Sequence, residues 1–326
     1  NPEVAVDGLS KAQVRDIFRI SDEKTSLLTE IITVQQGLLQ AGEKDIACYI
    51  GIPFCASRCR YCSFISREAG DGKLLGLYVS ALIGEIEGTI ALMRARGLKA
   101  RSVYIGGGTP TVLDEAQLTR VLEAARPMFS QALEVTVEAG RPDTITPGKL
   151  RAIAQSGARR VSVNPQSAHD KTLELVGRAH TWAQTVEAFR IAREAGFTHI
   201  NMDVIAGLPG EDLKMFRQTL NRVLDLRPEA LTVHTLSIKR SSDMRRYGDS
   251  LAPGNEVERM VALVREQARE QGLEPYYIYR QKHMAGNLEN VGYAKPGFAC
   301  LYNLDMMEDQ TTVLAMGAGT VSKLVY

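Results

Sequence analysis

Cys55, Cys59 and Cys62 are three of the chain's five cysteines, and all lie within eight positions in "CYIGIPFCASRCRYCSFIS", residues 48–66. Thiols this dense are metal ligands by their chemistry, because an odd, clustered set does not resemble a disulfide framework. Zinc competes first, but a structural zinc site closes with four ligands. The nearest histidine, His169, is more than a hundred residues further on. Cys48 sits inside an apolar run and reads as a buried thiol. A cubane iron–sulfur cluster accounts for the missing ligand: three cysteines hold three irons, and the fourth keeps an open position for a substrate or cofactor.

The cysteines follow "IACYIGI" (46–52), the first of six β-type runs. The others are 102–107, 132–139, 159–165, 199–207 and 230–236, and helical stretches near 73–97, 114–126, 147–156, 181–195 and 211–226 separate them. Asp114 and Gln117 have capping-box spacing at the start of one helix. Alternating β and α elements imply a parallel sheet with helical cover. Six units over about 200 residues fall short of a closed eightfold barrel, so the expected architecture is an α/β partial (β/α)6 TIM-like barrel. Residues 1–45 read as a helical lead-in, with Leu27, Leu28, Ile31, Ile32 and Leu38 at helical spacing, and as the end of a longer N-terminal region. Residues 46–245 form the barrel, and 246–326 a C-terminal α/β extension covering it.

In such a fold chemistry belongs at the carboxyl ends of the strands. There lie "GGGTPT" (106–111), Glu138, Gln166, Asp203 and His234. The glycine run lacks the Lys-Ser/Thr of a phosphate loop and instead lets backbone approach a ligand closely. Taken singly, Glu138, Gln166 and Asp203 are surface or capping residues by default; together at successive strand ends they suggest a polar ligand. Arg178 offers a fork suited to a carboxylate.

Bulk properties exclude other classes. Apolar residues make up 44% and charged residues 24%, and 39 Lys and Arg against 38 Asp and Glu leave a net charge of +1. That balance gives no electrostatic case for nucleic acid. No unbroken apolar run approaches the roughly 20 residues of a membrane span, and no secretory segment opens the chain. The cysteine pattern points to a reducing cytoplasm.

Cys-x-x-x-Cys-x-aromatic-Cys after a first strand resembles the signature of the radical S-adenosylmethionine (SAM) superfamily. The resemblance implies a [4Fe–4S] cluster on Cys55, Cys59 and Cys62, and SAM on its open iron, cleaved by one electron to methionine and a 5′-deoxyadenosyl radical. It also implies an electron donor such as flavodoxin or ferredoxin. At matching positions Gly107, Gly108 and Thr109 belong to the Gly-Gly motif that pairs with the methionyl amine. Glu138 lies near that amine, Arg178 on the carboxylate, Gln166 and Asp203 on the ribose hydroxyls, and Tyr61 on adenine.

"YIGIPFCASRCRYCSF", "GGGTPT", "VSVNPQS", "NMDVIAGLPG" and "NVGYAKPGFACLYNL" together resemble the oxygen-independent coproporphyrinogen III dehydrogenases over residues 46–325. "LTVHTLSIKR" and "PYYIYRQKHMAGNLENVGYAKPG" are similar to their HemZ-type branch. This implies a tetrapyrrole partner, coproporphyrinogen III, whose propionates lose a hydrogen, CO2 and an electron to become vinyl groups. Tyr49 is the family's motif tyrosine and the candidate catalytic residue. Three departures leave a haem-handling relative, or another radical reaction on a tetrapyrrole, open beside the dehydrogenase. Gly51 replaces the motif's His, Phe64 replaces a fourth cysteine, and Tyr302 and Met307 replace the His and Trp of the haem-trafficking branch. Cys300 reads as a buried thiol. His169, His180, His199 and His283 read as surface or helix-end residues, while Tyr277 and Tyr279 face either a ligand or the core. Gly317-x-Gly319 reads as a turn.

Overall fold

The computed structural model describes residues 4–325 apart from 7, 8, 63, 65, 66, 71, 239–241, 247–251, 281–283, 285 and 287. His283 therefore lies outside the described residues. Helix α1 (Asp22–Gln35) precedes a nine-stranded sheet. Its first six strands are β1 (Asp45–Ile52), β2 (Lys99–Gly107), β3 (Glu134–Gly140), β4 (Arg160–Val163), β5 (His199–Ala206) and β6 (Ala230–Thr235). They are parallel and adjacent in chain order. Helices α2 (Lys73–Arg96), α3 (Glu115–Phe129), α4 (Pro147–Ser156), α5 (Trp182–Glu194) and α6 (Leu213–Asp225) connect them. The expected six α/β units are present, and helix α3 begins with the expected box, Asp114 capping Gln117 and Gln117 reaching back.

The C-terminal residues add α7 (Gly254–Glu270), β7 (Glu274–Tyr279), β8 (Asn290–Ala294), α8 (Leu301–Met307) and β9 (Thr312–Met316). β9 joins β1 in parallel, while β8 pairs antiparallel with β6 and with β7. The order is β7-β8-β6-β5-β4-β3-β2-β1-β9, and the edges β7 and β9 are not paired with each other. Helix α8 sits near the amino ends of β2 and β3, where buried Asp305 accepts from Arg101 Nε at 3.1 Å and Ser102 Oγ at 2.8 Å. Arg101 also binds the carbonyls of Leu38 and Gln40, tying the N-terminal lead-in to the same end.

Parallel strands covered on both faces ordinarily read as continuous apolar runs. Here they alternate. Val161 and Val163 of β4, Ile200 and Met202 of β5 and Leu231 and Val233 of β6 belong to the main hydrophobic core. The residues between them line an internal cavity: Arg160, Ser162, Asn201, Asp203, Thr232 and His234. Side chains one apart on a strand point to opposite faces, so the inside of this sheet is polar and its outside packs on helices.

Helix α2 corrects one expectation. It spans 24 residues, its best window has a mean hydropathy of 1.4, and by length and composition it is long and apolar enough to cross a membrane. A search for unbroken apolar runs misses it because Gly, Ser, Thr and Glu interrupt the sequence. Leu75, Val79, Leu82, Ile86, Ile90 and Met93, at three- and four-residue spacing, are buried in the core.

Candidate active site: a cysteine loop above a polar cavity

β1 runs out into Phe54–Cys55, which pairs with Arg67–Glu68 and begins the cysteine loop. Neighbouring loops pin this loop. Arg141 Nη1, beyond β3, donates to the carbonyl and hydroxyl of Ser57, both at 2.8 Å. Asp143 holds the same guanidinium. Arg60 N donates to Val176 O, and Cys62 N to Cys59 O, each at 3.0 Å. All five cysteines are free thiols. Burial raises the proton affinity of Cys62, and the charges of Cys59 and Cys55 add to it, so the three loop sulfurs are close enough to sense one another. Among the described residues no three His, Cys, Asp or Glu side chains converge as a site for a metal ion. A mononuclear zinc needs its sulfurs about 2.3 Å from one point, whereas a cubane takes each thiolate on a different iron. Three thiols on one loop, with no fourth protein ligand beside them, are the donor set a cubane with one open iron takes. Burial pushes Cys48 to about 12, and Cys300 donates to Glu134 Oε1 at 3.2 Å; both lie in the interior, as expected.

The glycine run owes its composition to this loop. Gly108 N and Thr109 N donate to Ile52 O and Phe54 O, both at 2.8 Å, and Thr109 Oγ1 lies 3.6 Å from Cys55 Sγ. A Cβ on Gly107, whose φ is +113°, would sit 2.8 Å from Ile52 backbone atoms; one on Gly108 would sit 2.5 Å from Phe54 O and 2.8 Å from Cys55 Sγ. Gly108→Ala should therefore lower stability by roughly 1–3 kcal/mol through forced displacement. Gly88→Ala, in open space on α2, should stabilise by up to about 1 kcal/mol. Urea unfolding of the two variants checks the pair; equal midpoints would show the loop contact is soft.

Below the loop lies a cavity of about 710 Å³. Of the sequence-predicted residues, Tyr49, Tyr61, Cys62, Gly107, Glu138, Gln166 and Asp203 line it. Cys55, Cys59, Gly108, Thr109 and Arg178 are not among its described lining residues. Glu138 is pushed up to about 8 by burial and then by the nearby charge of Asp203, and Tyr104 OH donates to it at 3.2 Å. Asp203 accepts from Asn201 Nδ2 at 2.7 Å and lies 3.6 Å from His234 Nε2. Gln166 has a left-handed backbone, φ +66°, held by bonds from its N to Asp203 O and from Ile205 N to its O. Its Oε1, like Asn164 Oδ1, is buried without a hydrogen-bond partner among the described residues.

Arg178 is buried, and its partners are neutral: Tyr61 OH at 3.1 Å, Asn164 O at 2.8 Å and His180 Nδ1 at 3.4 Å. His180 is not a surface residue, as its sequence context suggests, but is 2% exposed. Burial, then the Arg178 charge, lowers it to about 3, so it stays neutral. Its other nitrogen faces Pro165 O. His199 is likewise packed, against Arg160 and Phe298. A buried cation with no carboxylate hydrogen-bonded to it among the described residues, and two orphaned carbonyl oxygens at the cavity, fit a ligand carrying a carboxylate and hydroxyl or N–H donors.

The lower cavity is aromatic. Tyr49 stacks on Tyr104 at 6.2 Å and on Tyr302 at 5.9 Å between ring centres. Tyr277 and Tyr279 both face the cavity, stacked at 6.1 Å, and Gly292 opposite leaves room for the Tyr277 ring. His234 faces the cavity as well, with Tyr279 OH 3.3 Å from its Nδ1. A Cβ on Gly51 would fall 2.4 Å from Thr320 Cγ2, so the turn at Gly317 and Gly319 occupies the space a larger residue would need. Phe64 is exposed at the mouth. Arg141, His180, Asn164 and Asn201 are the site residues that motif reading misses. For Asn164 and Asn201 the polar alternation of β4 and β5 was the available signal.

Residues 49–223 match the family model described as the radical SAM superfamily. Over 98% of its length the chain is 39% identical to the oxygen-independent coproporphyrinogen-III oxidase-like protein HemZ of Bacillus subtilis, covering 66% of that protein. It is 31% identical to the haem chaperone HemW of the same organism, covering 83% of this chain and 69% of that one. It thus spans about two thirds of the length of these relatives. Among solved structures, coproporphyrinogen III oxidase (HemN) from Escherichia coli, a radical SAM enzyme, superposes with a TM-score of 0.71 at 24% identity, covering 89% of this chain and 67% of that one. A [4Fe–4S] cluster and SAM are the cofactors of this fold family, and the thiols, the buried arginine and the orphaned acceptors suit them. The chain belongs to the radical SAM superfamily and, within it, to the HemZ-like homologues of coproporphyrinogen oxidase.

Proposed function

We propose that this chain is a radical SAM oxidoreductase that decarboxylates propionate side chains of coproporphyrinogen III to vinyl groups. One observation carries the reading: the polar cavity does not end at the residues suited to SAM but continues past them toward Arg160 and Tyr302. A reacting substrate needs such room beside its cofactor. When bound, the cluster and SAM supply a carbon radical able to take a hydrogen atom from an unactivated side chain.

The chain's own residues divide the remaining work. Cys55, Cys59 and Cys62 would hold the cluster. Arg178, oriented by His180 and Asn164 O, would bind the SAM carboxylate, and Gln166 Oε1 and Asp203 the ribose hydroxyls. Tyr61 would pack on adenine, and the Gly107–Thr109 run would offer carbonyls to the amine. Tyr49, grouped in a triangle of rings with Tyr104 and Tyr302, would face the substrate. Glu138 would pair with the methionyl ammonium. That pairing has a pH signature, because Glu138 with a proton affinity near 8 must lose its proton to make an ion pair. The SAM Kd should fall up to about tenfold per pH unit from about 6 toward 8, then level off. Glu138→Gln should flatten the profile. Equilibrium dialysis across pH checks this; an unchanged slope in the variant removes Glu138 from the site.

An anaerobic assay tests the function. Coproporphyrinogen III should stimulate 5′-deoxyadenosine release, with CO2 and vinyl-bearing products in step. The second reading, a haem-handling protein, is favoured by Tyr302, whose ring lines the cavity and whose phenolate is a known haem ligand type. Stoichiometric haem uptake without those products would select it.

A further inference from the structure

The cavity floor holds a charge that none of these roles uses. Arg160 begins β4 and Gln166 lies past its end; their partners on β5, His199 and Val204, are five residues apart, which places Arg160 roughly 16 Å deeper at about 3.3 Å per residue. It is 2% exposed and is the one Lys or Arg among the described lining residues. Its Nη1 is engaged by Phe298 O, at 2.8 Å, and by His199. Its Nε and Nη2 make no hydrogen bond among the described residues and are not among the buried orphaned atoms, so they stay open to the cavity. The neighbouring Glu134, whose charge acts on this guanidinium, makes no hydrogen bond to it among the described residues; its oxygens accept from Cys300 Sγ, Leu301 N and Thr136 Oγ1 at 3.2–3.3 Å. Ser162 and Tyr302 bring hydroxyls to the same cavity.

A guanidinium lining a polar chamber with half its fork left open offers a carboxylate a charge-assisted, two-pronged partner. We propose that Arg160, with Ser162 and Tyr302, forms a deep subsite that binds a carboxylate arm of the substrate and fixes which of its arms reaches the cysteine loop. The assignment rests on the tetrapyrrole reading and adds to it a site and a polarity: one acidic arm points down while another is presented upward.

Binding of coproporphyrin III and of its tetramethyl ester, followed by fluorescence, tests this in wild type, Arg160→Met and Ser162→Leu, with SAM dialysis alongside. Wild type should bind the acid at least about tenfold tighter than the ester, the scale of one charge-assisted pair. Both variants should lose most of that preference while SAM affinity holds. Ser162→Leu fills the chamber without removing the charge, so it keeps the test valid where Arg160→Met does not fold. A purely structural Arg160 would change stability and SAM binding but leave the preference for acid over ester intact, and that result overturns the subsite. Wild type that binds neither porphyrin would instead overturn the tetrapyrrole reading, and the subsite with it.

Discussion

Cys59→Ala should yield a folded, colourless protein in which SAM cleavage falls by at least about a thousandfold. Each thiolate of a three-cysteine set holds a different iron, so no remaining ligand can compensate. Cys59 is buried beside Tyr61 and Arg178, under a loop fixed by Arg141, so its removal takes away a sulfur rather than a structural brace. Cys48→Ala is the control. That thiol lies in the core on the helical face of β1, and its loss should cost stability while iron content stays at wild-type level. Iron and sulfide analysis with a 5′-deoxyadenosine assay decides the matter. A Cys59→Ala protein that still carries about four irons and cleaves SAM would remove the loop from the chemistry.

The second large effect concerns Arg178. Arg178→Ala should weaken SAM binding by about a hundredfold, within the 2–5 kcal/mol range for stranding one partner of a buried charge pair. Asp203→Asn should cost about tenfold or less. Asp203 already accepts from Asn201 and faces His234, and asparagine keeps an acceptor there. The ranking follows from local partners: Arg178 hydrogen-bonds only neutral groups among the described residues and has no carboxylate paired to it directly, whereas Asp203 is held by Asn201 and His234. Equal losses in the two variants, with unchanged thermal midpoints, would show that the carboxylate is bound elsewhere.

Much of this was legible in the sequence, for physical reasons that differ by residue. The six strands follow from alternation with helices whose caps are explicit, as at Asp114. The cysteine spacing identifies its ligand because few chemistries need three thiols and leave a fourth position open. The glycine run was read as letting backbone approach a ligand; what the structure shows is its close approach to the chain's own Phe54 and Cys55. What was not legible depends on contacts between distant segments. His180 looks like a helix-end residue until Arg178 and Pro165 close around it. Gly51 looks like a lost histidine until Thr320, some 270 residues later, fills its space. The polar interior was written in β4 as Arg-Val-Ser-Val-Asn, yet parallel strands are expected to be apolar throughout, and that prior masks the alternation. Helix α2 escaped as a candidate span because its glycines break the run without lowering its mean hydropathy enough.

The central claim is that three cysteines hold a cubane whose fourth iron takes SAM. Electron paramagnetic resonance of the anaerobically reconstituted, reduced protein, recorded with and without SAM, addresses it directly. The account predicts about four irons and four sulfides per chain and a reduced-cluster signal that shifts when SAM is added. Bound zinc in place of iron, or a cluster signal indifferent to SAM, would contradict it.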